Sequence, residues 1–213
     1  TLTLPIKYWE DKQRLNGNHR LRKFADKLND IPEKKRCEVS PELGIPLLQT
    51  LSYTLNDDLA DMFTDLLTTA SDIDLSKNAL PSFIDIIKGL TSSEAKIIQL
   101  LKKQFVIPYC DFFGRLGDEG QFICYNATTV SYDLGLNKEL ESAYWVNLIR
   151  LGIISREKKS LADKTDYLRI EDIHKLKKFR NDYIPSRFER IDSQRHFFLL
   201  TDLGRLFIKA CVK

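Results

Sequence analysis

Residues 90–103, LTSSEAKIIQLLKK, form the segment from which the rest of the chain can be interpreted. Thr91 is followed three residues later by Glu94, and this capping box predicts the start of a helix. The residues that follow recur at helical spacing and give the helix one apolar face: Ala95, Ile97, Ile98 and Leu101. Only helical patterns precede this segment, whereas β-like runs follow it. We therefore predict a mainly α protein in two parts.

The first part, residues 1–89, is predicted to be a helical bundle. Its first helix spans residues 6–30, and Gly17 is a weak point at which two shorter helices are the alternative. Three more helices are expected to begin at an N-cap or a helix-opening proline, at Ser40, Asn56 and Pro81. The side chains expected on the buried side of the second helix are Leu43, Leu47, Leu48, Leu51 and Leu55.

The second part, residues 90–213, is predicted to be a winged-helix (α+β) module. A β-like run, residues 105–107, stops at Pro108, and a glycine-rich turn region separates it from a second run at residues 121–125. Further elements are helices over 128–134 and 137–151, a strand at 153–155, a return strand at 196–200 and a terminal helix over 203–212. This order is typical of a winged helix. An insertion, residues 156–195, enlarges the wing and carries a helix over 170–180.

Composition places the chain among ordinary globular proteins. Of its 213 residues, 43% are hydrophobic and 30% are charged, and no apolar run approaches the ~18 residues of a membrane span. The four cysteines are widely spaced without a CxxC pair, which favours reduced thiols and a cytoplasmic location. The chain opens at Thr1 without a methionine or a signal-like segment, which suggests a fragment of a longer protein.

The charges are distributed unevenly along the chain. Residues 1–36 carry a balance of +5, residues 37–94 carry −8, and residues 156–213 carry +6. One interpretation is that the basic and acidic parts dock on each other or keep the protein soluble. The alternative is that the basic ends bind nucleic acid.

No pattern in the sequence predicts catalysis, a metal or a cofactor. His19, His174 and His196 have no metal-ligand spacing, and a zinc site from Cys110 and Cys124 would need a distant third ligand. The glycine series 114, 117 and 120 lacks the strand and helix that flank a phosphate loop, and no serine lies in a G-x-S-x-G context. We therefore expect a protein that is not an enzyme.

Two sets of residues are candidates for binding. The helix over 137–151 is the expected recognition helix of the winged-helix module. It carries as many acids as bases, so a nucleic-acid contact would use the basic wing instead. Its residues are Arg156, Lys158, Lys159, Lys175, Lys177, Lys178 and Arg180. Trp9, near the chain end, indicates a partner surface. Tyr144 and Trp145 suit either a partner interface or core packing.

Two stretches resemble the Abi-alpha (abortive infection alpha) family of uncharacterised bacterial proteins. The first, residues 58–95, contains LADMFTDLLTTA and LPSFIDIIKGLT, and the second is the ending LLTDLGRLFIKAC. The family is similar in its P-S-F motif and its terminal T-x-x-G-x-x-F-x-x-x-C. Leu80 and Phe63 stand where the family has His and Trp. The resemblance spans residues 39–212 and implies a role in phage defence without known catalytic residues.

Together these observations predict a non-enzymatic bacterial anti-phage protein that acts through protein–protein interaction, with a protein partner or a second copy of itself. The alternative is a winged-helix nucleic-acid-binding regulator that uses the basic wing insertion.

Overall fold

The computed structural model describes residues 17–117, 119–177 and 190–213, and this part of the chain is mainly helical. Its nine α-helices are α1 (17–29), α2 (Pro41–Tyr53), α3 (Asp57–Ala70), α4 (Ser82–Lys88), α5 (Ser92–Leu101), α6 (Val130–Asp133), α7 (Glu141–Arg150), α8 (Thr165–Lys177) and α9 (Asp202–Cys211). Its four strands are β1 (Val106–Leu116), β2 (Glu119–Ala127), β3 (Ile154–Glu157) and β4 (Arg190–Leu200).

The described chain divides into two compact units. The helical unit contains the residues up to Lys96 together with Arg205–Lys213, and the sheet unit contains Ile97–Gly204. The division falls within α5 and within α9, so each of these helices contributes to both units.

The helix starts in the helical unit follow the predicted signals. Asn56 accepts a hydrogen bond from the Leu59 N–H at 3.0 Å and caps α3. The capping box of α5 is present in both directions: the Thr91 N–H donates to Glu94 Oε2 at 2.7 Å, and the Glu94 N–H donates to Thr91 Oγ1 at 3.2 Å. These contacts confirm the local interpretation of the sequence. The part of the first predicted helix that precedes residue 17 lies outside the described residues.

One prediction for α2 is wrong. Leu43, Leu47 and Leu51 are buried at intervals of one helical turn, but Leu48 and Leu55 are exposed. Leu48 lies one residue past Leu47 and is therefore turned about 100° away from the buried stripe. Leu55 follows the end of α2 at Tyr53 and is not part of the helix.

The sheet unit is built on an antiparallel sheet with the strand order β2-β1-β4-β3. The strands are longer than predicted, because β1 continues past Pro108 to Leu116 and β4 begins at Arg190. β2 pairs with β1 only from Cys110 onward, so at Pro108 β1 has β4 as its one paired neighbour. Proline is tolerated on such an edge because no ladder hydrogen bond is lost there.

The expected turn between the first two strands is also shorter than predicted. Gly114 pairs within β1, and Gly117, with a φ of 57°, lies at the turn. Helix α8 begins earlier than predicted, at Thr165, and its predicted end at residue 180 lies outside the described residues.

Helices cover both faces of this sheet. On one face, Trp145 of α7 stacks on Phe198 with ring centroids 4.7 Å apart, and Phe198 stacks on Tyr109 at 4.2 Å. On the other face, Tyr167 and Ile170 of α8 join a buried cluster with residues of β1 and the end of β2, namely Cys110, Phe112 and Ala127. The sheet is therefore the shared core of this unit.

Candidate functional site

The predicted basic residues separate into three groups. Lys178 and Arg180 lie outside the described residues, as do the side chains of Lys175 and Lys177, whose backbone belongs to α8. Lys158 and Lys159 follow β3 and are exposed, and neither forms an ion pair with a described residue. Arg156 is exposed as well, but its guanidinium is held by a polar cluster.

Asn126 is the centre of that cluster. It is buried, and its φ of 54° places it in the left-handed region, which asparagine tolerates better than most residues. Arg156 Nη2 donates to Asn126 Oδ1 at 2.8 Å, while Asn126 Nδ2 donates to Ser142 Oγ at 3.2 Å. The Asn126 backbone N–H donates to Asp111 Oδ1 at 2.8 Å. Arg156 therefore joins β3 to the end of β2 and to the start of α7.

A buried carboxyl group, that of Glu141, lies beside this cluster. Glu141 Oε1 accepts hydrogen bonds from the Thr128 hydroxyl and, at 3.1 Å, from the Thr128 backbone N–H. Burial raises the pKa of Glu141, and these hydrogen bonds oppose the rise. The contacts tie the turn before α6 to the first turn of α7, so Glu141 has a structural role in placing these helices.

The aromatic candidates do not form an exposed surface in the described chain. Trp9 lies outside the described residues. Tyr144 and Trp145 are both buried, and Trp145 is part of the ring stack on Phe198. Of the two alternatives open for this pair, the structure shows core packing.

A ladder of ion pairs attaches α1 to α3 in the helical unit. Arg20 pairs with Asp57, Lys23 Nζ lies 2.5 Å from Asp61 Oδ1, and Lys27 pairs with Asp65. The partners ascend together along both helices, so α1 and α3 run parallel. This contact between a basic and an acidic segment is the self-docking that the uneven charge distribution suggested.

An apolar groove opens beside this ladder. It has a volume of about 350 Å³, and the residues that line it include Phe24, Val39, Pro41, Ile45, Leu48 and Leu67. Leu67 of α3 is buried, whereas the α2 side chains Ile45 and Leu48 are 55% and 43% exposed. A contiguous set of large exposed apolar side chains is typical of a protein-binding surface. We refer to it as the α2 groove.

Sequence reasoning missed the α2 groove. The signal that could have found it is Ile45, an apolar residue that lies off the stripe of Leu43, Leu47 and Leu51. An apolar residue on the outer side of an amphipathic helix indicates a partner surface when it belongs to a contiguous apolar patch.

The sequence matches the family described as abortive infection alpha over residues 13–211. The chain belongs to the abortive infection alpha family. No curated protein matches it. A solved structure, the uncharacterized protein from the hydrocarbon-degrading marine bacterium Alcanivorax borkumensis SK2, is similar at 16% identity and a TM-score of 0.40. The similarity covers 62% of this chain and 92% of that one.

Three side chains of the motifs by which this Abi-alpha protein resembles the family, Phe83, Phe207 and Cys211, are buried, whereas Pro81 and Ser82 are exposed. Phe83 of the P-S-F motif and Phe207 of the terminal motif meet edge to face, with ring centroids 5.2 Å apart. Cys211 is also buried, and burial raises the pKa of its thiol well above the usual value. A buried thiol with a raised pKa is a poor nucleophile. The shared motifs therefore stabilise the fold.

Two kinds of feature are absent from the described residues. None of the helices is both long and apolar enough to cross a membrane. Within the same part of the chain, His, Cys, Asp and Glu side chains do not gather in threes as a metal site requires.

Proposed function

We propose that this Abi-alpha protein is a non-enzymatic anti-phage defence protein of the bacterial cytoplasm and that it acts by binding a protein partner through the α2 groove. The observation that carries the proposal is the pair of large apolar side chains, Ile45 and Leu48, exposed along an apolar groove. Family membership supports the defence role. The burial of the motif residues Phe83, Phe207 and Cys211 supports a structural role for them rather than a catalytic one.

The proposal includes a winged-helix arrangement in the sheet unit. Along the chain, α5 precedes β1, and α6 and α7 then precede β3. In the sheet, β4 lies between β1 and β3. The α7 helix then corresponds to the recognition helix, and the chain between β3 and β4, which contains α8, corresponds to the enlarged wing. Such modules bind proteins as well as nucleic acids, so the fold does not decide between the two.

A phage challenge tests the proposed function. Bacteria that produce the wild-type chain, Ile45→Asp with Leu48→Asp, or Ile73→Asp are infected with a panel of phages, and plaque formation is counted. Ile73 is the matched control, because it is an apolar side chain of the same unit and is 59% exposed outside the α2 groove. Aspartate adds a charge to the groove that an apolar partner surface cannot compensate.

We expect the wild type and Ile73→Asp to reduce plaque numbers and the groove double variant to lose that protection. Circular dichroism and urea denaturation of the purified variants confirm that they are folded. A folded groove variant that protects as well as the wild type would contradict the role of the groove. A wild-type chain that protects against none of the phages would contradict the defence role.

A further inference from the structure

The α2 groove has the dimensions of a site for a peptide segment. Three helices line it: α1 contributes Phe24, α2 contributes Ile45 and Leu48, and α3 contributes the buried Leu67. A volume of about 350 Å³ is at the lower end of the range for pockets that take small ligands. A few apolar side chains from one helix or strand fit such a groove, as in other helix-in-groove complexes.

The charge next to the groove is negative. Residues 37–76, from which all of its α2 side is built, contain eight Asp and Glu residues and no Lys or Arg. Glu38 and Glu42 flank the groove residues Val39 and Pro41 in sequence, and both are exposed. Neither glutamate forms an ion pair within the described residues.

Three of the four Lys and Arg side chains of α1 are already compensated, because Arg20, Lys23 and Lys27 are each paired with an aspartate of α3. The fourth, Arg22, is exposed and forms no ion pair with a described residue, but it lies two residues from Phe24 and so about 200° away from it around the helix. Glu38 and Glu42, which flank the groove residues Val39 and Pro41 in sequence, lack a counterion in the described chain. A partner that presents cations there gains favourable electrostatics, and an acidic partner is repelled.

We propose that the α2 groove takes a partner segment whose apolar side chains are flanked by lysine or arginine. This inference rests on the proposed function and names the chemistry of the partner. The apolar side chains enter between α1 and α2, and the cations meet Glu38 and Glu42.

Fluorescent peptides of about 16 residues, long enough to form a helix, test the inference with the full chain. Two peptides share leucines at positions i, i+3, i+4 and i+7, and their flanks are lysine in one and glutamate in the other. A third has lysine flanks and glutamine in place of leucine. Binding to wild type is measured by fluorescence anisotropy at low and high salt.

We expect the lysine-flanked leucine peptide to bind at least about tenfold more tightly than the other two, with a preference over the glutamate peptide that shrinks at high salt. Leu48→Asp should weaken its binding about tenfold or more. Glu38→Lys with Glu42→Lys should abolish the preference between the lysine and glutamate peptides. Glu33→Lys with Asp85→Lys is the matched control, because it makes the same change in net charge at exposed sites outside the groove lining.

Three results would overturn the inference: equal binding of the lysine and glutamate peptides, an equal loss of preference in the control, or no binding of any peptide. If the lysine-flanked and glutamate-flanked leucine peptides bind equally and Leu48→Asp abolishes the binding of both, the groove remains a protein-binding site, and only the inferred positive charge of the partner is contradicted. The phage challenge judges the defence role separately, because it depends on Ile45 and Leu48 and on no peptide sequence.

Discussion

At the scale of single residues, the shared terminal motif has a steric explanation. A Cβ atom at Gly204 would lie 2.1 Å from the backbone oxygen of Ile153, closer than any such contact in a real protein. Three residues earlier, Thr201 Oγ1 accepts the Gly204 N–H at 2.8 Å and lies 2.6 Å from the Gly152 carbonyl, to which it donates. Thr201 and Gly204 therefore join the start of α9 to the chain that enters β3.

We predict that Gly204→Ala destabilises the protein by about 3 kcal/mol or more, because the atom it meets is backbone and cannot rotate away. The control is Gly44→Ala. Gly44 lies within α2, and the nearest atom to a Cβ there is Val39 Cγ1 at 3.4 Å. Alanine at that position should be neutral or should stabilise by up to about 1 kcal/mol through its helix propensity.

Urea denaturation of both variants measures the difference. Equal stability of the two alanine variants would contradict the close contact between Gly204 and Ile153.

At the scale of elements, α1 is attached to α3 mainly by polar contacts. Within residues 17–29, Arg20 is the one residue that is buried, whereas the apolar side chains are partly or fully exposed. The three ion pairs are not equivalent, because the Asp65 side chain is 6% exposed and that of Asp61 is 42% exposed. Asp65 Oδ2 also accepts the backbone N–H of Lys213 at 2.9 Å, which links the end of the chain to α3.

We predict that Asp65→Asn lowers the free energy of unfolding by about 2 kcal/mol, since a buried carboxylate loses its charge-assisted hydrogen bonds. Asp61→Asn should cost less than about 1 kcal/mol, because water screens an exposed ion pair. The measurement is urea denaturation of the full chain at low salt and in 1 M salt. If Asp61→Asn lowered the free energy of unfolding as much as Asp65→Asn does, burial would not set the strength of these ion pairs.

The sequence predicted helix starts better than strand ends. Local signals such as the Thr91 and Glu94 capping box and the Asn56 cap lie within one turn of the chain, so they can be identified without tertiary information. The length of β1 could not be predicted, because whether a strand passes Pro108 depends on which side of it β2 pairs.

At the scale of the whole molecule, the charge pattern along the chain suggested that a basic part docks on an acidic part, as the ion pairs between α1 and α3 show, but it gave no sign of the α2 groove. Opposite charges in neighbouring segments are visible in composition alone. Predicting a groove requires knowledge of which apolar side chains the fold leaves outside the core. Packing decides that Leu47 is buried and that its neighbour Leu48 is exposed. The predicted basic surface was likewise reduced by a partner that the sequence could not supply, since Asn126 binds Arg156.

The α2 groove proposal therefore makes a quantitative prediction against the nucleic-acid alternative for the full chain. If Lys158 and Lys159 are the main cations available to phosphates, log K for a duplex of about 20 base pairs should fall with log salt concentration at a slope no steeper than about −2. Binding is measured by anisotropy between 50 and 200 mM salt, with Lys102→Glu and Lys103→Glu as a control for general charge. A much steeper slope would contradict this prediction if it is lost in the triple variant Lys158→Glu, Lys159→Glu and Lys178→Glu but retained in the control. That result would assign the function to the basic wing and not to the α2 groove.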